Sequence, residues 1–361
     1  MGRAPWRHTV LLMSEYRRHS VATSRLIVTA LAVGALVALS GCTASSTAVT
    51  AAPLKLSIGT DDSPGVPSAD EISHFSHELQ TVSGGTIVAT PRWDADGDSA
   101  SSWDQAIAQM VVDGKLDMAL VPARTWDSLN VTSLEPLVTP FLIQSDDVVA
   151  KVIASPDLTA PLLSGLPAAG VTGLSLFPES LRHPFGFAAP LLVPADYRGG
   201  QIRTPAASVG TALFGAYGAR ATDDEIDTLT QVGMESSYML ENNGTATGNV
   251  TFFPKVNVLV INSKAFAHLT KDQRAAVAKA AAATQTWAIA NIPTDRAAAA
   301  AYCADGRKIV GATQAELTAL EKAAQPVVDQ FTRNGGNAAV IAAIRSVVAT
   351  AAPADPTVAC P

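Results

Sequence analysis

Between Asp127 and Ala219 the chain carries only four positive side chains: Lys151, Arg182, Arg198 and Arg203. Arg182 follows a strand-like stretch that ends near Pro178, and Arg203 lies within Gln201-Ile-Arg-Thr-Pro205. A guanidinium in such an apolar strand is not decoration for solubility. Its planar fork pairs two N–H groups with the two oxygens of a carboxylate. That carboxylate could belong to a bound organic acid or to an internal Asp or Glu, and the residues alone leave both readings open. Other chemistry is poorly provided for. His74 and His77 have i,i+3 spacing, but no Glu or third ligand completes a metal site around them. Asp94, Asp96 and Asp98 resemble a calcium loop only superficially, since Gly97 stands at position 4 rather than 6 and Gln105 at position 12, where Glu is needed. GxSxG, a Walker loop and GxGxxG after a strand are all missing from the sequence. The expectation is therefore no metal, no cofactor, no catalytic residue and no enzyme.

The elements that must position these arginines alternate between strands and helices. Leu54–Gly59 reads as a first strand, with Asp61 just past its end, where cleft loops normally sit. A helix over 67–82 follows, with Ser68 as its possible cap. Gly84–Ala89 is a strand, Trp103–Asp113 a helix ended by Gly114, and Asp117–Pro122 a buried strand. This spacing suggests parallel βαβ units. Trp126 behind the last of these strands could cover a ligand or simply fill the core. Residues 145–166 read as helix in two pieces broken at Pro156. Short strands are expected over Gly170–Phe177, Phe185–Ala189 and Gln201–Thr204, with helices over Ser208–Tyr217 and Asp224–Gln231. Val250–Asn262 returns as a long β stretch interrupted at Pro254. Beyond it the chain is largely helical, with capping boxes at Thr270-Lys-Asp-Gln273 and Thr313-Gln-Ala-Glu316 and a last helix near 337–350.

Composition bounds the rest. The 361 residues are 48% hydrophobic and 16% charged, with a net charge of −7. That balance is globular, and its acidity argues against nucleic acid as a partner. Five arginines between Arg3 and Arg25 precede the apolar run Leu26–Leu39, which is short for a membrane span but suits a signal segment. Directly after it, Leu39-Ser-Gly-Cys42 resembles the lipobox of bacterial lipoproteins. That resemblance implies a lipid on Cys42, cleavage before it, and a protein held to the outer face of the cytoplasmic membrane. Residues 1–41 would then be the signal peptide, with translation starting at Met1 or Met13, and 42–53 a flexible tether. Export would place the two remaining cysteines, Cys303 and Cys360, in an oxidising compartment. A disulfide between them is expected, stapling the extreme C-terminus to a helix near Cys303.

From Ser180 to Glu235 the chain resembles the solute-binding receptors of TRAP transporters, the DctP family. The run Leu181-Arg182, Pro190 and then Pro194-Ala-Asp-Tyr-Arg-Gly-Gly-Gln-Ile-Arg203-Thr-Pro is similar to that family's arginine followed by P-x-D-L-x-G-x-K-x-R-x-P. Gly215-Ala-Tyr-Gly218-Ala219 resembles its GA before the next strand, and Gln231-Val-Gly-Met-Glu235 its VDGQE. Trp103–Val121 and Pro136–Leu142 resemble upstream elements, and Val258–Gln273 the downstream continuation. The likeness covers most of residues 54–345. It implies an α/β, two-domain fold of the periplasmic-binding-protein type II kind, with the ligand in the cleft, a helical C-terminus and a long domain-spanning helix, here over 271–300. Domain I would comprise 54–179 with a return segment at 251–285. Domain II would comprise 180–250 with C-terminal helices over 305–361.

The resemblance further implies that Arg203 holds the carboxylate of a small organic anion, that Arg182 is the companion arginine, and that a TRAP-type permease receives the ligand. Glu235, Ser236, Asp61 and Trp126 are weaker candidates for the site. Ser236 stands where the family often has Asn, and Val232 where it has Asp, which loosens any dicarboxylate or sialic-acid assignment. An importer receptor of the ABC type, a lipid-anchored hydrolase and a ligand-binding sensor accessory are the competing readings. The expected mechanism is hinge closure: the carboxylate pairs with Arg203 as the two lobes exclude water.

Overall fold

A computed structural model describes residues 52–96, 102–240 and 244–361. The expected signal peptide, most of the tether and the lipobox Cys42 lie outside the described residues. Strand β1 (Leu54–Gly59) leads to α1 (Pro67–Val82), β2 (Ile87–Arg92), α2 (Trp103–Val112) and β3 (Met118–Pro122). Helices α3 (Asp146–Ala154) and α4 (Pro156–Leu163) precede the long strand β4 (Val171–Gly186). Then come β5 (Gln201–Arg203), α5 (Ser208–Ala216), β6 (Arg220–Thr222), β7 (Gln231–Ser236), β8 (Thr245–Thr247) and β9 (Phe253–Asn262). Helices α6 (Ser263–His268), α7 (Lys271–Asn291) and α8 (Asp295–Ala304), strand β10 (Ile309–Val310), α9 (Gln314–Arg333) and α10 (Asn337–Thr350) complete the chain.

The sheet order is β2-β1-β3-β9-β4-β7-β5-β6, with β8 joining β4 to β10. Strands β1, β2 and β3 are parallel, as are β5, β6 and β7. These two parallel sets are linked by the antiparallel pair β4 and β9, which runs from Val171↔Asn262 to Arg182↔Phe253. The linking pair makes this two lobes joined by shared strands.

Period-two alternation sets the layers. In β3, Ala119 and Val121 face a core shared with α2, α3, α4 and α10. Met118 and Leu120 face the opposite core, shared with α1 and α7. The second lobe repeats the plan. Ile202 packs with Leu213 and Phe214 of α5 and Phe331 of α9, while Phe185 and Met234 pack with Tyr302 of α8. Cys303 and Cys360 are disulfide-bonded, closing a loop with a sequence separation of 57. In a chain-entropy description, a loop of that length stabilises the fold by about 4 kcal/mol.

Five expectations are corrected. The two short strands expected over 170–177 and 185–189 are one strand of 16 residues, in which register shifts near Gly173 and Pro178 absorb the irregularity that reads as a break. The helix expected over Asp224–Gln231 does not form. Asp227 instead turns the chain, its carboxylate accepting from the Leu229 N–H at 2.9 Å and the Thr230 hydroxyl at 2.7 Å. The long helix expected over 271–300 is two helices. Ile292, before Pro293, is forced to an extended conformation, and Thr294 caps the next helix. Val66, not Ser68, is the N-cap of α1, and the Ser68 hydroxyl donates to Asp62. Finally, α10 packs in the first lobe through Val340, Ile341 and Ile344 rather than in the second.

Candidate functional site

Strands of both lobes contribute charged residues to one buried, mutually interacting cluster. Asp61 and Asp62 follow β1, Arg124 follows β3, and Arg203 ends β5. Glu179 and Arg182 come from β4, Glu235 from β7 and Lys255 from β9. Asp61, Asp62, Arg124 and Arg203 lie at or just past strand ends, where open α/β sheets bind ligands, whereas Glu179, Arg182, Glu235 and Lys255 project from within strands.

Most of these charges are already paired. Arg182 donates from Nε to Glu235 Oε1, and from Nη2 to the Glu235 carbonyl at 3.3 Å. The Thr204 hydroxyl donates to Glu235 Oε2 at 2.7 Å. Arg124 pairs with Asp104 at the start of α2. Lys255 lies 2.8 Å from Glu179 and 3.7 Å from Asp62. Asn257 donates to both Glu179 at 2.8 Å and Glu71 at 2.9 Å. Burial alone would raise the Glu235 carboxyl, but the charges of Arg182 and Arg124 overcome that and hold it below its usual range.

Arg203 is different. Among the described residues no acid lies within ion-pairing distance of it, and its Nε is buried without a hydrogen-bond partner. Its guanidinium sits over the Trp103 ring, 5.3 Å from the centroid. Burial and the positive charge of Arg182 both lower its pKa, and Glu235 only partly offsets them. An arginine does not lose its proton in a protein, so the charge stays and is under-compensated. Elsewhere in this cluster a cation finds an acid; here the fork is left for something else.

The opposite side of the cluster is crowded with acids. Burial, then the charges of Asp104 and Asp62, push the Asp61 carboxyl up to about 9, with Lys255 opposing. Asp62 is held low instead, because Lys255, Ser68 and Arg124 together outweigh its burial. A carboxyl raised on folding keeps a proton that the unfolded chain releases. Stability therefore falls as pH rises from about 4 toward 9, the window between the two states of Asp61. Asp61→Asn is expected to flatten that decline, so that its melting temperature exceeds the parent's at pH 8 and converges with it near pH 4. A parent whose stability does not fall across this range would contradict a protonated Asp61.

The two lobes touch beside Arg203. Asp223 accepts from the Ser102 N–H and hydroxyl at 3.1 and 3.2 Å, Gln105 donates to the Ala206 carbonyl, and the Asp127 carboxylate accepts from the Ser208 N–H at 2.5 Å. The last contact caps α5, whose own N-cap Ala207 has no side-chain oxygen. These residues and Thr204 border a cleft of about 610 Å³.

The structure thus places Arg203 and Asp61 in one cluster, and locks Arg182 and Glu235 together. Ser236 follows Glu235, fully buried, its hydroxyl without a partner. Trp126 is 0% exposed within the first-lobe core, which assigns it to packing rather than to covering a ligand. His74 stacks on Trp287 of α7, 4.4 Å between centroids. Sequence reasoning missed Arg124, Asp104, Trp103 and Lys255. Lys255 carries the signal that exposed Arg203, a cation inside an apolar strand. Arg124 lies at a strand exit just upstream of the arginines first considered.

A two-lobed α/β protein with crossing strands and an uncommitted guanidinium between the lobes is a solute-binding receptor by architecture. Residues 58–224 and 244–334 match the model of bacterial extracellular solute-binding protein family 7, DctP, and the chain belongs to that family, one of binding receptors rather than enzymes. The uncharacterized protein y4mM of Sinorhizobium fredii is 26% identical over 188 residues, 49% of this chain, and the match spans 34% of that relative's length. Solved structures share the fold, among them two with a bound ligand. One is a TRAP periplasmic solute-binding protein from Ralstonia eutropha H16 with bound (S)-2-acetolactate, with a TM-score of 0.72 and 19% identity over 82% of this chain and 99% of that one. The other is the sugar acid binding protein of Advenella mimigardefordensis in complex with galactonate, with a TM-score of 0.70 and 18% identity over 83% and 99%.

Proposed function

We propose that the protein captures a small organic anion by its carboxylate, held on Arg203 between closing lobes, and delivers it to a TRAP-type permease. One observation carries this reading: Arg203 is the cation in the cluster without an internal acid. A carboxylate arriving there gains a charge-assisted, bidentate contact in a water-poor gap. Arg182 and Glu235 serve as a fixed pair that keeps Arg203 from finding an acid of its own, because Glu235 is already taken by Arg182 and Thr204. Closure is read through the contacts of Ser102, Gln105 and Asp127 with the second lobe. The lipobox at Leu39-Ser-Gly-Cys42 supports a lipid anchor at the outer face of the membrane, where the permease is reached. A true ligand stabilises the folded form by mass action. In a thermal-shift series with organic acids, the melting temperature should rise with ligand concentration. A protein indifferent to every carboxylate, yet stabilised by an uncharged sugar, would count against the anion.

A further inference from the structure

Four tryptophans lie among the described residues, and three of them serve cores. Trp126 is buried in the first-lobe core, and Trp93 and Trp287 pack against the core of α1 and α7. Trp103 packs in none of the apolar cores. It is half-buried, and its ring face is covered by a charge, the Arg203 guanidinium 5.3 Å from the centroid. The negative face of an indole attracts a guanidinium, so this ring has an electrostatic partner where the others have apolar ones. The two partners come from different lobes. Trp103 opens α2, which Ile107, Ala108 and Val111 root in the first-lobe core. Arg203 ends β5, whose Ile202 lies in the second-lobe core. The residues on either side of Trp103 bridge the same gap. Ser102 gives its N–H and hydroxyl to Asp223 at 3.1 and 3.2 Å, and Gln105 donates to the Ala206 carbonyl one turn further on. Ser102 holds a left-handed backbone, φ +56°, uncommon outside glycine, and its N–H in that conformation is engaged by an acid of the other lobe.

We infer that Trp103 is a positioning residue for the Arg203 anchor, supplied by the opposite lobe and in place only while the lobes are together. The inference rests on Arg203 as the carboxylate anchor. An aromatic face attracts the cation without accepting its N–H groups as a carboxylate does, and the Arg203 Nε is indeed without a hydrogen-bond partner. The ring therefore restrains the guanidinium and leaves its donors to an incoming carboxylate. When the lobes part, α2 leaves with the first lobe and β5 with the second, so Arg203 loses this restraint. A carboxylate then meets a loose fork first and is clamped once Trp103 arrives with the closing lobe. Trp103 accordingly slows dissociation and leaves association largely unchanged, because the encounter precedes the contact.

The test compares Trp103→Phe, which keeps a ring face, with Trp103→Leu, which keeps apolar bulk without one, and Trp103→Ala. Lactate, pyruvate, succinate and gluconate are the probes, and calorimetry and stopped-flow mixing are run with whichever of them raises the parent's melting temperature most. Trp103→Leu and Trp103→Ala should each weaken binding about 5- to 30-fold, the range of a cation–π contact as it becomes desolvated. The loss should lie in faster dissociation, and Trp103→Phe should stay within about threefold of the parent. All three variants should keep the parent's cooperative melting without added acid, since no apolar core loses a member. Leucine that restores binding as well as phenylalanine, an affinity loss carried by slower association, unchanged affinity in Trp103→Ala, or a variant that no longer melts cooperatively would each overturn the inference. Arg203→Ala with the same probe separates this claim from the one beneath it. Affinity lost there and kept in Trp103→Ala refutes the positioning role alone, whereas affinity kept in Arg203→Ala, or no binding of any probe by the parent, removes the anchor and the positioning role together.

Discussion

Arg203→Ala is expected to weaken ligand binding by roughly 30-fold to several thousand-fold while leaving the fold intact. The range follows from the cost of truncating one partner of a buried charge pair, about 2–5 kcal/mol. The fold should survive because Arg203 holds no internal acid, so its removal orphans no carboxylate. Removing a buried and under-compensated charge even relieves its repulsion with Arg182. Calorimetry of the variant with an acid that stabilises the parent, together with its melting temperature, checks both halves. Arg203→Lys should fall between, since an ammonium keeps the charge but not the planar fork, and the contact with Trp103 changes with it. Equal affinity in parent and Arg203→Ala would remove the anchor from the site.

Glu235→Gln is expected to have the opposite profile, a large loss of stability with ligand affinity a secondary casualty. Arg182 is 2% exposed and Glu235 1%, and each is the other's counter-ion. Breaking a buried pair on one side leaves an uncompensated charge and costs about 3–5 kcal/mol. The amide also cannot accept from Arg182 and Thr204 as the carboxylate does. Denaturant unfolding should show a lower midpoint with an unchanged slope. The double variant Arg182→Met with Glu235→Leu, which removes both charges at similar volume, should recover most of that loss. A single variant as stable as the parent would mean that the pair is solvated rather than buried.

The two substitutions contrast because the sequence presents Arg182 and Arg203 as equals and the fold does not. Both sit in apolar strands, and either could pair with a ligand or an internal acid. The choice depends on which acid the crossing strands bring alongside. Pairing of β4 with β7 places Pro184 opposite Glu235, and so brings the glutamate within reach of Arg182. Register between strands roughly fifty residues apart is not written in local patterning. What local patterning carries well is the element inventory. Alternation identified β1, an apolar run identified β3, capping boxes identified α7 and α9, and the break at Pro156 separates α3 from α4. It failed at Pro178, where a bulge keeps β4 in its sheet, and at Asp224–Gln231, where Asp227 offers the backbone competing bonds. The acid end of the site was nearly invisible, since Asp62, Asp104 and Glu179 look like surface residues until Lys255 and Arg124 are packed against them.

The central claim concerns one guanidinium and one carboxylate, and a crystal structure of the protein with its captured acid addresses it directly. The account expects the ligand's carboxylate oxygens within hydrogen-bond distance of the Arg203 guanidinium, with Arg182 still on Glu235 and Arg124 still on Asp104. A carboxylate seated on Arg182 or Arg124 with its acid displaced, or Arg203 turned onto an internal acid, would contradict it.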